Sequence, residues 1–576
     1  MRPRRSPSIK IDLQRWRMQV VMLLIFGAFI GLVGRLLYMQ VFQKDFLIKQ
    51  SDLRVKRQVE IPAHRGMLLD ARGAHLAISI PAAAIVLNAR EAVITPEQVT
   101  QLVTGLPVDR AYLERLLREK KARFVYLRRQ APAEVAEAVM ALNIKGVSSQ
   151  PEYRRYYTAG ETMAQALGVT NVEDNGLEGI EVSYQSVLAG VPGLKSVIRD
   201  RSGNIVEELD LIRLPKPGRD LTLSLNSQIQ YLAYRELQTA TDKFKAKGAS
   251  AVVLDARTGE ILALANYPAY NPNDRATMTQ VLARNRAVTD AFEPGSTMKP
   301  IFISAALDLG IVKPASRYNS DENLVLSGKA IRDTHDKKGI ITVAQAIQTS
   351  SNVVMAKIAG TMRDSDIHDI YTRSGFGKVP GSGLPGETRG QMRSMKSKWL
   401  PIEKGTLAYG HGISVSLLQL ARAYTLFAND GLLMPLTVEK RSTPVEGERV
   451  ISQETAQQVR AMLESVTQEG GTAPKARVPG YRVAGKTGTA HKLINGSFAG
   501  NHYWASFVGM APASNPRVVI AVVVDDPSTG IYYAGEVAAP VFSRIMAGTL
   551  RFLALPPDER MESLPPVRTP VVAEAV

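Results

Sequence analysis

Three short stretches of this 576-residue chain hold residues able to make and break an acyl bond. The first, "FEPGSTMKPIFISAALDLG" (292–310), sets Ser296 and Lys299 at i and i+3, just after the breakers Pro294 and Gly295. At helical spacing the two side chains share one face, about 5–6 Å apart at Cβ. Pro300 removes an intrahelical bond and is tolerated only in a first turn, so a helix is expected to start at or just before Ser296. A serine hydroxyl is a weak nucleophile until a neighbouring base takes its proton. A lysine can be that base if burial or nearby cations depress its pKa. The Ser296 amide, at the positive end of a helix, would supply half of an oxyanion site.

The second stretch, "QTSSNVVMAKIAG" (348–360), places Ser350, Ser351 and Asn352 ahead of an apolar helical run. The third, "GYRVAGKTGTA" (480–490), carries Lys486, Thr487, Gly488 and Thr489. It is also a literal G-x-x-x-x-G-K-T, the pattern that cradles phosphates. The run "VVIAVVVDD" (518–526) ends in aspartates, as a magnesium-binding strand would. Local context opposes a nucleotide site. Tyr481, Arg482, Val483 and Ala484 fill the loop with bulk, and Gly488, Gly496 and Gly500 make a poor helix start. The stretch instead follows the breaker "VPG" and alternates as a strand does. Period two puts Thr487 and Thr489 on one face and Lys486 on the other, and leaves open how that lysine reaches the serines.

The elements that must position these residues lie outside the cytoplasm. Arg2, Arg4, Arg5, Lys10, Arg15 and Arg17 precede "MQVVMLLIFGAFIGLVG" (18–34), which has no charge, and "LLYMQVF" continues the apolar run after Arg35. Residues 18–40 are long enough to cross a bilayer if Arg35 snorkels, and no A-x-A-like cleavage site follows. The basic tail 1–17 keeps the N-terminus in the cytoplasm. No ATP awaits the "GKT" on the other side. Residues 45–222 mix alternating runs with helical stretches, and 227–555 form the largest domain, its "VVLDARTGEILAL" reading as a hairpin about Thr258 and Gly259. The proline-rich end 556–576 reads as disordered. The formal charge of +17 suits an anionic surface or polymer, but no basic cluster with interleaved aromatics points to nucleic acid. With no cysteine, thiol chemistry, Cys-ligated zinc and disulfides are excluded.

S-x-x-K, S-x-N and K-T-G in this order make the set found in class A β-lactamases and penicillin-binding proteins. The chain resembles a class B penicillin-binding protein, above all the cell-division transpeptidases of that family. "HRGMLLDARGAHLA" is similar to a pedestal motif, departing from it at Ala71 and Arg72, and "GLEGIE" (176–181) to a second. "YGHGISVSLLQLARAYTLFANDG" (409–431) and "AGEVAAPVF" (534–542) match the division subgroup, with Ala534 in place of an expected glycine.

The resemblance implies an α+β fold: one transmembrane helix, an elongated α+β pedestal, and a C-terminal transpeptidase-like domain of antiparallel sheet with flanking helices. It implies a peptidoglycan D,D-transpeptidase at the inner membrane of the division septum, blocked by β-lactams and needing neither metal nor cofactor. Its partners would be D-Ala-D-Ala stem peptides, a glycan polymerase and other division proteins. Ser296 would attack the penultimate D-alanine and Lys299 would take its proton. Ser350 would relay a proton to the leaving D-alanine, and Asn352 would hold the substrate and orient Lys299. Lys486, lying close to Ser350, would add positive potential near the terminal carboxylate. Thr487 and Thr489 would bind that carboxylate, the Thr489 amide completing the oxyanion hole, and Gly488 would leave room for the peptide. Elongation-type transpeptidase, or a penicillin sensor or scaffold, is the rival. No E-x-x-L-N-like segment supplies a lactamase glutamate between Asn352 and Lys486, and no G-x-S-x-G or H-E-x-x-H appears. His335, His411 and His502 read as loop or packing residues.

Overall fold

The computed structural model describes residues 15–47, 49, 56–122, 124–199, 205–334, 339–492 and 500–559. The tail 1–14, His335 and the proline-rich end 560–576 lie outside the described residues. Helix α1 (Arg15–Leu37) continues through one π-helical turn, Tyr38–Phe42. Among the described residues it is the one helix long and apolar enough to span a membrane, and none of it is buried.

By its contacts the chain forms two compact units. The smaller comprises 1–63, 83–151 and 191–216. Its strand β1 (Lys56–Ile61) belongs to an antiparallel three-stranded sheet described below, and β2 (His75–Leu87) brings in Ala83–Leu87. Helix α2 (Pro96–Gly105) starts at Thr95, whose hydroxyl accepts from Gln98 N while the Gln98 side chain accepts from Thr95 N. That reciprocal cap satisfies two otherwise orphaned amides. Helix α3 (Arg110–Glu119), strand β3 (Val125–Ala131) and helix α4 (Ala133–Ala141) follow, packing Leu102, Leu113, Leu127 and Val139 against Ile85 and Leu87. Strands β4 (Gly193–Arg199) and β5 (Ile205–Arg213) complete the order β1-β4-β5.

The larger unit comprises 64–82, 152–190 and 217–576, so it holds both pedestal motifs quoted above. They meet at one carboxylate. Glu181 accepts from Arg65 Nε at 2.8 Å and from Arg155 Nε at 2.7 Å, and Arg65 Nη2 also bonds the Glu181 carbonyl at 2.9 Å. All three side chains are buried. Removing the shared anion leaves two guanidinium groups uncompensated in a low-dielectric interior. Glu181→Ala is therefore expected to destabilise the chain by about 3–5 kcal/mol. Denaturant unfolding of the full chain in detergent measures this, and an unchanged midpoint would refute it.

Next come α5 (Ser227–Phe244), β6 (Gly248–Asp255), β7 (Ile261–Tyr267), α6 (Lys299–Asp308), α7 (Asn352–Thr361), α8 (Leu417–Ala428) and α9 (Gln453–Ser465). Then β8 (Ala484–His491), β9 (Tyr503–Ala511), β10 (Val518–Asp525) and α10 (Ala539–Phe552) end the unit. The strands form one antiparallel sheet in the order β7-β6-β10-β9-β8. Every residue of β6 and β10 is buried, so both faces are covered, and α5, α8 and α10 pack on them. This accounts for the unbroken apolar runs in those strands. The expected hairpin is β6–β7, and Gly259 in its turn has φ +72° with Pro435 O only 2.1 Å from where a Cβ would sit. The aspartates ending β10 serve as anchors. Arg286 and Lys492 pair with Asp525, and Lys247 and His502 pair with Asp526 at 2.8 Å.

Candidate active site

Gly485, Lys486 and Thr487 lie inside β8, paired residue for residue with Gly509, Val508 and Phe507 of β9. A paired strand offers no nest of free amides for a phosphate, which removes the nucleotide reading.

Ser296 occupies a 3-10 turn, Gly295–Met298, from which α6 continues at Lys299 with Pro300 in its first turn. The α-helix thus begins three residues later than expected. The tighter winding still serves the pair, because positions i and i+3 eclipse in a 3-10 turn. Close backbone approaches hold the turn. Gly295 N donates to Gly410 O at 3.2 Å, and a Cβ on Gly410 would lie 2.0 Å from Gly295 O. Tyr424 Oη donates to Thr297 O at 2.8 Å, and Phe292 exchanges two backbone bonds with Val415. On the side of β8, a Cβ on Gly488 would lie 2.5 Å from Pro294 O and 2.9 Å from Thr297 Cγ2.

Gly488 is therefore needed for the strand to touch the serine turn, which corrects the expectation that it clears space for a peptide. Gly488→Ala forces the turn and β8 apart. It is expected to destabilise by about 1–3 kcal/mol and to slow acylation of Ser296 at the same time. Unfolding curves and β-lactam labelling rates, measured together, check this; a slower rate with unaltered stability, or neither change, would contradict it.

Lys299 is wholly buried, and its Nζ donates to Ser350 O at 2.5 Å, Asn352 Oδ1 at 2.7 Å and Ser350 Oγ at 3.1 Å. Ser350 has φ +62°, a left-handed conformation that turns both its carbonyl and its hydroxyl onto the amine. Ser351 caps α7 by accepting from Val354 N. Asn352 is held by Asp333, whose carboxylate accepts from Asn352 N at 2.5 Å, Val353 N at 3.0 Å and Ser351 Oγ at 2.6 Å. Burial is the largest cause that drives the Lys299 pKa well below its ordinary value; the Lys486 charge adds to it and Asp333 opposes it.

Lys486 is also wholly buried, and burial brings its pKa down to about 7. Its Nζ contacts Thr487 Oγ1 at 3.3 Å and Thr487 O at 3.4 Å, and makes no hydrogen bond to Ser350. It reaches the site from below, through Thr487 and through its field at Lys299.

Above the two lysines opens a cleft of about 820 Å³, lined by Ser296, Ser350, Asn352, Thr487 and Thr489. Thr489 Oγ1 accepts from Ala534 N at 3.1 Å, so its own proton is free to be donated into the cleft. Thr487 Oγ1 shares a hydrogen bond with Thr472 Oγ1 at 2.8 Å. Sequence reasoning missed several neighbours. Asp333 lies 18 residues before Ser351 with no local signal. Tyr503, Tyr532 and Tyr533 make a stacked wall of the cleft, with ring centroids 4.0 and 4.6 Å apart. His411, a loop residue as expected, also lines the cleft and bonds Glu293 at 3.0 Å. His502, by contrast, sits on Asp526 at the end of β10. The glycines around His411, Gly410 and Gly412, were the one available hint.

Residues 249–547 match the penicillin-binding protein transpeptidase domain, and residues 60–223 match the penicillin-binding protein dimerisation domain. The probable peptidoglycan D,D-transpeptidase PenA of Neisseria meningitidis serogroup A is 40% identical over 99% of this chain and 98% of its own. The peptidoglycan D,D-transpeptidase FtsI of Escherichia coli K12 is 38% identical over 94% and 93%. Among solved structures, the apo TP domain of Burkholderia pseudomallei penicillin-binding protein 3 is 48% identical with a TM-score of 0.54, covering 59% of this chain and 98% of that one. A peptidoglycan synthetase from Bifidobacterium adolescentis is 26% identical with a TM-score of 0.69, covering 88% and 99%.

Proposed function

The chain belongs to the class B penicillin-binding proteins and is a serine-type peptidoglycan D,D-transpeptidase, and from that premise we propose that it cross-links septal peptidoglycan through Ser296. What supports this most is the Lys299 amine, buried beneath the Ser296 cleft and hydrogen-bonded to both Ser350 and Asn352. A neutral amine has two protons to donate and one lone pair. Asn352 Oδ1 and Ser350 O take the two protons, which leaves the lone pair for a hydroxyl proton. That is the state in which Lys299 accepts the proton of Ser296 as its Oγ attacks the penultimate D-alanine carbonyl.

The proton then passes through Ser350 Oγ to the nitrogen of the departing D-alanine. The amides of Ser296 and Thr489 hold the oxyanion. Thr489 and Thr487 hold the terminal carboxylate, and the amine of a second stem peptide resolves the ester into a cross-link. A β-lactam enters by the same attack, and its ester persists. The cations before residue 18 in the sequence support a cytoplasmic N-terminus and a periplasmic catalytic unit. There a glycan polymerase and division proteins would be its partners.

Fluorescent penicillin should label the full chain stoichiometrically, the adduct mapping to the peptide that holds Ser296. Donor and acceptor stem peptides should be joined by the same preparation, and depletion should produce filaments. Round cells on depletion would assign it to elongation, and an adduct elsewhere would dismiss the site.

A further inference from the structure

Cross-linking needs a second base that the constellation above does not supply. The acceptor is a primary amine, mostly protonated at neutral pH, and it must lose a proton before it can attack the Ser296 ester. Lys299 carries the other proton of the reaction, the one that moves from the attacking nitrogen to Ser296 Oγ. We propose that His411, oriented by Glu293, is the group that deprotonates the incoming acceptor amine.

Position comes first. Glu293 lies three residues before Ser296, and His411 follows Gly410, whose backbone abuts Gly295. The two segments are joined by Gly295 N donating to Gly410 O at 3.2 Å, so His411 stands beside the nucleophile turn, and its ring lines the same cleft as Ser296. The side chain is 33% exposed, reachable from solvent but fixed. Its ring edge rests on Tyr409, centroids 5.4 Å apart, and the Tyr409 ring in turn lies 6.0 Å from Lys299 Nζ.

Tautomer follows from the partner. Glu293 Oε2 is 3.0 Å from His411 Nδ1, while Glu293 Oε1 accepts from Gly412 N at 3.0 Å. Burial, the largest influence on Glu293, pushes its pKa up, yet the bonds from His411 and Gly412 N with the His411 charge outweigh it, and the net pKa is lowered. The carboxylate is therefore ionised and accepts only, so Nδ1 carries the hydrogen of a neutral ring. The lone pair is then on Nε2, which bonds no group among the described residues. An acid-anchored imidazole with an unbonded nitrogen, on a residue lining the same cleft as the nucleophile, is the arrangement a general base requires.

The step balances. R–NH3+ gives one proton to His411 Nε2, which later releases it to water. The free amine attacks the ester carbon, a C–N bond forms, and its surplus proton goes through Lys299 to Ser296 Oγ as the C–O bond breaks. The products are the amide cross-link and the free serine.

The proposal rests on the Ser296 reading, and its test separates the two. A thioester analogue of the donor peptide is used to form the ester, and the partition of that ester between a D-amino-acid acceptor and water is measured. His411→Gln, whose amide cannot take a proton, is expected to lower the ratio of aminolysis to hydrolysis by about 10²-fold at neutral pH. Glu293→Gln is expected to lower it at least about tenfold, and it gives the readout if His411→Gln does not fold. An unchanged ratio in either variant overturns the role of His411. Failure of the Ser296 reading looks different: no ester forms in the wild type, or Ser296→Ala still forms one.

Discussion

Ser296→Ala is expected to form no covalent penicillin adduct, and Lys299→Met to form one about 10²–10⁴-fold more slowly than the wild type. The first change removes the atom that attacks. The second removes the amine that bonds both Ser350 and Asn352. Lys299→Arg should be no better than Lys299→Met, because a guanidinium never gives up its proton and cannot fit where a wholly buried ammonium sits. The rate in the wild type should fall as pH drops through the depressed Lys299 pKa. Removing Lys486 should move that limb to higher pH, because a like charge no longer opposes protonation of Lys299. Only part of the depression should be relieved, since burial is its larger cause. Stopped-flow acylation across pH measures all four variants. Retention of the wild-type rate in Lys299→Met would end the assignment of that lysine as base.

Lys486→Met is expected to make the protein more stable while impairing it. Burial lowers the Lys486 pKa from 10.5 to about 7. A lysine whose folded pKa is depressed binds fewer protons folded than unfolded, so its contribution becomes more favourable as pH rises from about 7 to 10.5. At pH 7 this opposes folding by about 4 kcal/mol, at about 1.4 kcal/mol per pKa unit. Methionine fills a similar volume without a charge to desolvate. Against that gain stands about 1 kcal/mol for the two long hydrogen bonds to Thr487. A net gain of about 3 kcal/mol is therefore expected at pH 7, vanishing near pH 10.5. Acylation should be slower at and below about pH 7, where the cleft loses the positive potential of the protonated amine. Unfolding of the full chain in detergent at both pH values decides the matter. Destabilisation at pH 7 would show that the lysine is retained for folding.

Both lysines share this trade between stability and function. The fold buries two amines away from water, where each holds its proton weakly, and that weakness is what an attacking serine requires.

Much of this was legible in residue order alone. Ser296, Lys299, Ser350, Asn352 and Lys486 stand in three short motifs whose types and order carry the family resemblance, and within each motif local geometry dictates where neighbours lie. The hairpin at Thr258 and Gly259 and the strand at 484–491 were legible for the same reason, as was the apolar run of α1. Residues whose roles depend on segments far apart in the chain were not. Asp333 bonds the start of α7 from a loop 18 residues before Ser351, and Glu293 reaches His411 across 118 positions. Gly488 proved to be a contact and not a gap, since only the packed turn at Pro294 shows which side of the strand is crowded. Local spacing is written into the chain because covalent geometry carries it over a few residues. Which lysine is buried, which carboxylate orients which ring, and how far a pKa moves are decided by what the rest of the fold brings alongside.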